Sequence, residues 1–195
     1  MNSRTAVAEK RDKAELGFWI YLMTDLMLFA ALFATFYILR IGIADGPKAS
    51  EIFNIDYVMA QTLVLLASSV TSGMALVSAK FQMKKQALVF LAATIALGLS
   101  FLVLEMNEFI LLVNEGHSWT TSAFLSSYFT LVGTHGLHIL IGLIWAVVLF
   151  VAIMRRDTIG DNHLRKLGLF TMFWHFLDLV WIFIFSVVYV IGVYA

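Results

Sequence analysis

Five long apolar stretches decide what this chain can fold into. They run over about 18–39, 57–79, 88–113, 124–154 and 167–194. A run of about 20 apolar residues, coiled as a helix, crosses the hydrocarbon core of a bilayer. The expectation is therefore an all-α integral membrane bundle of five transmembrane helices. The fourth stretch is too long for a perpendicular crossing, so it must tilt or project beyond the lipid. The only proline, Pro47, lies in the first connection and breaks none of the spans. Residues 1–15 form a polar tail of mixed charge, without the apolar core or small-residue cleavage site of a signal peptide. Residues 16–195 then make one membrane domain.

Orientation follows from the cations between spans. Eleven Lys and Arg lie on one side: Arg4, Lys10, Arg11 and Lys13 in the tail, Lys80, Lys84 and Lys85 in the second connection, and Arg155, Arg156, Arg165 and Lys166 in the fourth. Only Arg40 and Lys48 lie on the other. This predicts a cytoplasmic N-terminus and a periplasmic C-terminus. Net charge is zero, which points to no nucleic-acid partner. The absence of cysteine excludes disulfides, thiolate metal sites, thiol catalysis and c-type haem attachment.

Against this background seven ionisable side chains stand out: Asp25 in the first span, Glu105 and Glu108 in the third, His135 and His138 in the fourth, His175 and Asp178 in the fifth. A charge at the bilayer centre costs about 2.5–3.5 kcal/mol on insertion scales, so such residues face the bundle interior and find partners. A buried acid can also escape by carrying its proton. That is expected of Asp25, which has no basic neighbour on its own helix.

Three pairs, Glu105/Glu108, His135/His138 and His175/Asp178, share an i, i+3 spacing and so a helix face. Facing helices with Glu and Glu-x-x-His pairs build di-iron sites in helical bundles, although no pair here is Glu-x-x-His on one helix. Depth disfavours one shell here. At about 1.5 Å per residue, Glu108 lies roughly 8 Å below the outer edge and His175 roughly 12 Å above the inner one. In a core about 30 Å thick, roughly 10 Å separates the two levels. Glu105 with His135, at similar depth, stays geometrically open. Haem would need His135 or His138 opposed by His175, or by no second ligand. A proton pathway through Asp25 and Asp178, as in a small transporter, is a third reading. The plain alternative is that these groups hydrogen-bond between helices and fix their arrangement. His175/Asp178 is expected to be such a pair. Trp174 and Trp181, seven apart on one face, suggest packing or lipid contact. In ASSVTSG (67–73) the fourfold spacing of Ser69 and Gly73, and of Ser68 and Ser72, suits close helix approach.

Four motifs carry a family resemblance. GTHGLH (133–138) and FWHFLDLVWIF (173–183) resemble the last two helices of subunit III of the haem-copper respiratory oxidases. LGFWIYLMTDLMLFAALFATFYIL (16–39) resembles the helix that carries its buried carboxylate, placing that group at Asp25. EMNEF (105–109) resembles the acidic motif on the next-but-one helix. The resemblance covers Leu16 to Ala195. A chain that begins at what would be the third of seven helices, with Asp25 in place of the glutamate of the cytochrome c branch, resembles the cytochrome o-type ubiquinol oxidase branch. The cytochrome c oxidase branch, or a membrane di-metal enzyme using Glu105, Glu108, His135 and His138, is the alternative.

The resemblance implies a subunit without catalytic, cofactor-binding or metal residues of its own, in a complex that oxidises ubiquinol and reduces oxygen to water while pumping protons. Haem and copper would lie in subunit I. Subunits II and a small IV would complete the assembly in the bacterial inner membrane. This chain would stabilise subunit I, bind phospholipid and support proton uptake, with its seven buried polar residues serving packing, proton or lipid roles.

Overall fold

A computed structural model of the chain describes residues 3–39, 55–116, 120, 122–156 and 158–190, with side chains described from Lys13 onward. The first connection, with Arg40, Pro47 and Lys48, and residues 191–195 at the end of the fifth span lie outside the described residues. So do the side chains of Arg4, Lys10 and Arg11.

Among the described residues all regular structure is helical: α1 (Ser3–Leu39), α2 (Ile55–Lys80), α3 (Lys84–Asn114), α4 (Ala123–Met154) and α5 (Asp161–Ile184), the last running on as a π-helical turn, Phe185–Val190. Each is long and apolar enough to cross a membrane. The helices overshoot the apolar stretches at their polar ends. α1 begins at Ser3 rather than near residue 18, because TAVAEKRDKAEL is built of strong helix formers and nothing in it stops a helix. α5 likewise starts at Asp161, six residues before its apolar part, and Gly160 is its N-cap. α4 is 32 residues long. At 1.5 Å per residue that is about 48 Å, well beyond the hydrocarbon thickness.

Neighbouring helices pack in the cycle α2–α3–α4–α5–α2, a four-helix bundle, and α1 lies outside it against α4 and α5. The centre is Trp174 of α5, which touches the other three members of the bundle. Its benzo ring fills the space left by Gly98 of α3 and Gly142 of α4. Its Nε1–H donates to Ser68 Oγ of α2 at 2.9 Å. Seven residues on, Trp181 repeats the pattern: Nε1–H donates to Thr62 Oγ1 at 3.0 Å, and the ring meets Phe101 edge-on at 4.7 Å. Both tryptophans are thus packing residues, buried rather than turned to lipid. Ser68, from the small-residue stripe on α2, serves this packing within the chain.

One end of the bundle is latched by polar bonds. Gln82, in the left-handed region at φ 57°, makes the sharp turn between α2 and α3. Its amide donates to the Ile159 carbonyl at 2.9 Å. The Lys84 ammonium donates to the Met154 carbonyl at 3.2 Å and to the Arg156 carbonyl. These are free carbonyls at the C-terminus of α4, where a cation is favoured. At the other end Ser122 caps α4, its Oγ accepting from Leu125 N–H at 3.2 Å.

Candidate functional site

The seven costly side chains do not converge. They divide into four environments, and the i, i+3 pairs are split between different neighbours. Residues three apart on a helix differ by about 60° in direction, enough to reach separate helices in a bundle.

Asp25 of α1 meets His138 of α4, with Oδ2 3.7 Å from Nε2. His138 Nδ1 lies 2.7 Å from the Thr134 carbonyl. A carbonyl only accepts, so Nδ1 carries a proton and donates it there, which leaves Nε2 facing the carboxylate. At 3.7 Å the contact is longer than a hydrogen bond. Asp25 Oδ2 has no hydrogen-bond partner. Tyr21, one turn earlier, is directed at the same carboxylate. Phe29, one turn later, lies 5.3 Å from the His138 ring. Asp25 thus has a basic neighbour supplied by another helix, none being on its own.

His135 is completely buried in an aromatic enclosure. It stacks on Trp181 at 5.2 Å and meets Phe101 edge-on at 6.0 Å, with Phe29 at 6.4 Å. Neither ring nitrogen has a hydrogen-bond partner. Glu105 lies over the bare backbone of Gly136, where a Cβ would stand 2.8 Å from Oε1. Both its oxygens are buried and unpaired. Within GTHGLH, then, His135 serves the aromatic core, Gly136 makes room for Glu105, and His138 faces Asp25. No hydrogen bond joins Glu105 to His135. Unpaired buried atoms of this kind are ordinarily served by ordered water.

Glu108 is the best-served group. Its Oε1 lies within hydrogen-bond reach of Tyr189 OH at 3.1 Å and Tyr128 OH at 3.2 Å, and its Oε2 accepts from Gln61 Nε2 at 3.2 Å. The two phenol oxygens lie 2.9 Å apart. Tyr57 beside them donates to the Leu104 carbonyl at 2.9 Å, tying α2 to α3 at the same level.

His175 and Asp178 are not directly bonded; Ser69 of α2 lies between them. His175 Nε2–H donates to the Ser69 carbonyl at 3.2 Å, across the face opened by Gly73. The Asp178 carboxylate approaches the Ser69 hydroxyl without hydrogen-bond geometry, so that Ser69 Oγ is unpaired. Asp178 is buried, whereas His175 is exposed on the outside of α5.

Two of the alternative chemistries weighed from the sequence find little support in this geometry. Among the described residues no three His, Asp or Glu side chains gather as a metal shell. The Glu105/Glu108/His135/His138 set is dispersed, and Glu108 is already filled by protein donors. For a haem held by His175 opposite His135 or His138, the His175 Nε2 is already bonded to the Ser69 carbonyl. Gln61, Tyr57, Tyr128 and Tyr189 were not singled out in the sequence, where tyrosines in apolar runs look like ordinary core.

A family model described as cytochrome c oxidase subunit III matches residues 4–193. A cytochrome bo(3) ubiquinol oxidase subunit 3 from Pseudomonas aeruginosa is 49% identical over 176 residues, covering 90% of this chain and 84% of the relative. A cytochrome c oxidase subunit 3 from Bacillus sp. (strain PS3) is 44% identical over 190 residues, 97% of this chain and 90% of the relative. A quinol oxidase subunit 3 from Bacillus subtilis (strain 168) is 40% identical over 177 residues, 91% of this chain and 86% of the relative.

Proposed function

The chain belongs to the cytochrome c oxidase subunit III family, and from that premise we propose that it is the non-catalytic third subunit of a bacterial ubiquinol oxidase of the cytochrome o type. It is a multi-pass membrane protein with a subunit III role in a haem-copper oxidase. The electron donor is the finer point. Short length does not separate the two branches, since the Bacillus sp. (strain PS3) relative named for cytochrome c is covered over 90% of its length. The observation that carries the quinol assignment is the 49% identity to the bo(3) subunit, supported by aspartate at position 25.

In this reading subunit I holds the haems and copper and performs oxygen chemistry and proton pumping. This chain packs against it, with subunit II and a small subunit IV completing the complex in the inner membrane. Its helices bind phospholipid, and its dispersed buried acids and imidazoles support proton uptake. The 1–15 tail and N-terminus lie in the cytoplasm and the C-terminus in the periplasm, the arrangement that the eleven cations favour. The latched end of the bundle is then cytoplasmic.

The test is mild detergent extraction through a tag on Met1, followed by native sizing, haem spectroscopy and metal analysis. Recovery with a far larger haem- and copper-containing partner that oxidises ubiquinol is the expected result. A small haem-free particle with its own metal overturns the reading, and a large partner that oxidises only cytochrome c overturns the choice of donor.

A further inference from the structure

Tyr189 reaches Glu108 because α5 changes its winding. Eight residues of regular α-helix would leave it roughly 80° away from the face of Trp181. The π-helical turn Phe185–Val190 takes more residues per turn and rotates Tyr189 back toward that face, with its ring 6.4 Å from Trp181. Such turns often mark functional positions. Here the turn delivers a second phenol to a carboxyl group already touched by Tyr128.

Three oxygens then stand in a triangle: Glu108 Oε1, Tyr128 OH and Tyr189 OH, with sides of 3.2, 3.1 and 2.9 Å. Each side within hydrogen-bond reach needs a proton between its oxygens, or it becomes a contact of facing lone pairs. A phenol has one hydroxyl proton, so the two tyrosines supply at most two, whatever else they contact. An ionised Glu108 supplies none. We propose that Glu108 holds the third proton on Oε1 and closes with Tyr128 and Tyr189 a ring of three hydroxyl groups, a site whose ligand is one stored proton. Each oxygen then donates once and accepts once around the ring. Oε2 is left as the carbonyl oxygen, which suits the Gln61 amide that donates to it.

The surroundings agree. Glu105, one turn along α3 with both oxygens buried and unpaired, would face an ionised Glu108 as a like neighbour. Tyr57 and Gln61 from α2 bring no positive charge, and among the described residues no Lys, Arg or His is a hydrogen-bond partner of Glu108. Reversing the ring moves the Glu108 proton to one phenol, that phenol's proton to the other, and the last proton back to Glu108, with no net charge displaced. A proton arriving at one oxygen can thus be matched by one leaving another. The ring stands independently of the subunit III reading.

The experiment is the infrared difference spectrum between the wild-type complex purified through this chain and its Glu108→Gln variant, with Tyr128→Phe as a second variant. Expected is the loss, in Glu108→Gln, of a carbonyl stretch typical of an un-ionised carboxyl group, and a shift of that band in Tyr128→Phe. Loss of ionised carboxylate bands alone overturns the proposal, as does a carbonyl band that Tyr128→Phe leaves unmoved. If the chain purifies without oxidase partners, the same spectra on the isolated bundle decide the ring while the subunit assignment fails separately.

Discussion

Gly142→Ala tests whether Trp174 organises the bundle. A Cβ at residue 142 would stand 2.8 Å from Trp174 Cζ3, 3.0 Å from Cε3 and 3.3 Å from Phe173 Cε1. Carbon atoms pack best at about 3.5–4.0 Å, so the indole would have to retreat by roughly 0.7 Å or more. It has nowhere to go. The opposite edge of its ring already lies where a Cβ on Gly98 would be 2.9 Å away, and Nε1 is tied to Ser68. Overfilling a packed core costs about 1–3 kcal/mol, while alanine in place of glycine favours a helix by roughly 0.5–1 kcal/mol. The difference leaves a net loss of up to about 2.5 kcal/mol. Against a second Gly→Ala on the same helix the propensity gain cancels, leaving the overfilling cost of about 1–3 kcal/mol. Gly133→Ala on the same helix is the control, because its Cβ meets only Phe109 Cε2 at an ordinary 3.9 Å. Both variants would be compared with wild type by reversible unfolding of the purified protein in mixed micelles, and again in a Trp174→Phe background, which removes the benzo ring. Gly142→Ala should be the less stable of the two, and most of its cost should vanish with the indole. Equal stability of the two variants, or an unchanged cost in the Trp174→Phe background, refutes this account of the core.

Asp25→Ala should leave the haem absorbance of the assembled complex unchanged, since no ligand is removed; a missing haem band in a complete complex contradicts this. Its stability effect should be less than additive with that of His138→Ala, because the two groups face each other, and strict additivity in unfolding measurements would show that they do not interact. His175→Leu should release the subunit more readily during detergent washing, as α5 loses its tie to the Ser69 carbonyl; unchanged retention on native gels refutes that role. Lys84→Met should expose the connection between α4 and α5 to faster proteolysis from the latched side, and identical cleavage rates would show that the ammonium does not hold it.

The spans could be read from the sequence because hydrocarbon thickness fixes their length, and α2 departs from its apolar stretch by only two residues at the start. Helix ends were less legible. A helix continues past the lipid wherever its polar residues favour it, as Ser3–Leu39 does. The polar residues of the site were also visible, since each is costly in lipid. Their partners were not. Whether His138 faces Glu105 or Asp25 depends on how α4 is rotated against α1 and α3, and spacing along one helix does not contain that angle. His175/Asp178 shows the same limit: correct spacing for a pair, but Ser69 of another helix between them. Tyr189 lay beyond periodicity for a different reason, because the π-turn resets the face on which it sits.

The central place of Trp174 also has a consequence in time. The helix that fills the space between Gly98 and Gly142 is the last of the five to leave the ribosome. Until it arrives, α2, α3 and α4 present small residues to one another with nothing between them, and the hydroxyls of Ser68 and Thr62 lack their indole donors. A chain that stops short of α5 therefore keeps a hollow, polar-lined seam in the membrane. Completion of synthesis and closure of the core are thus a single event.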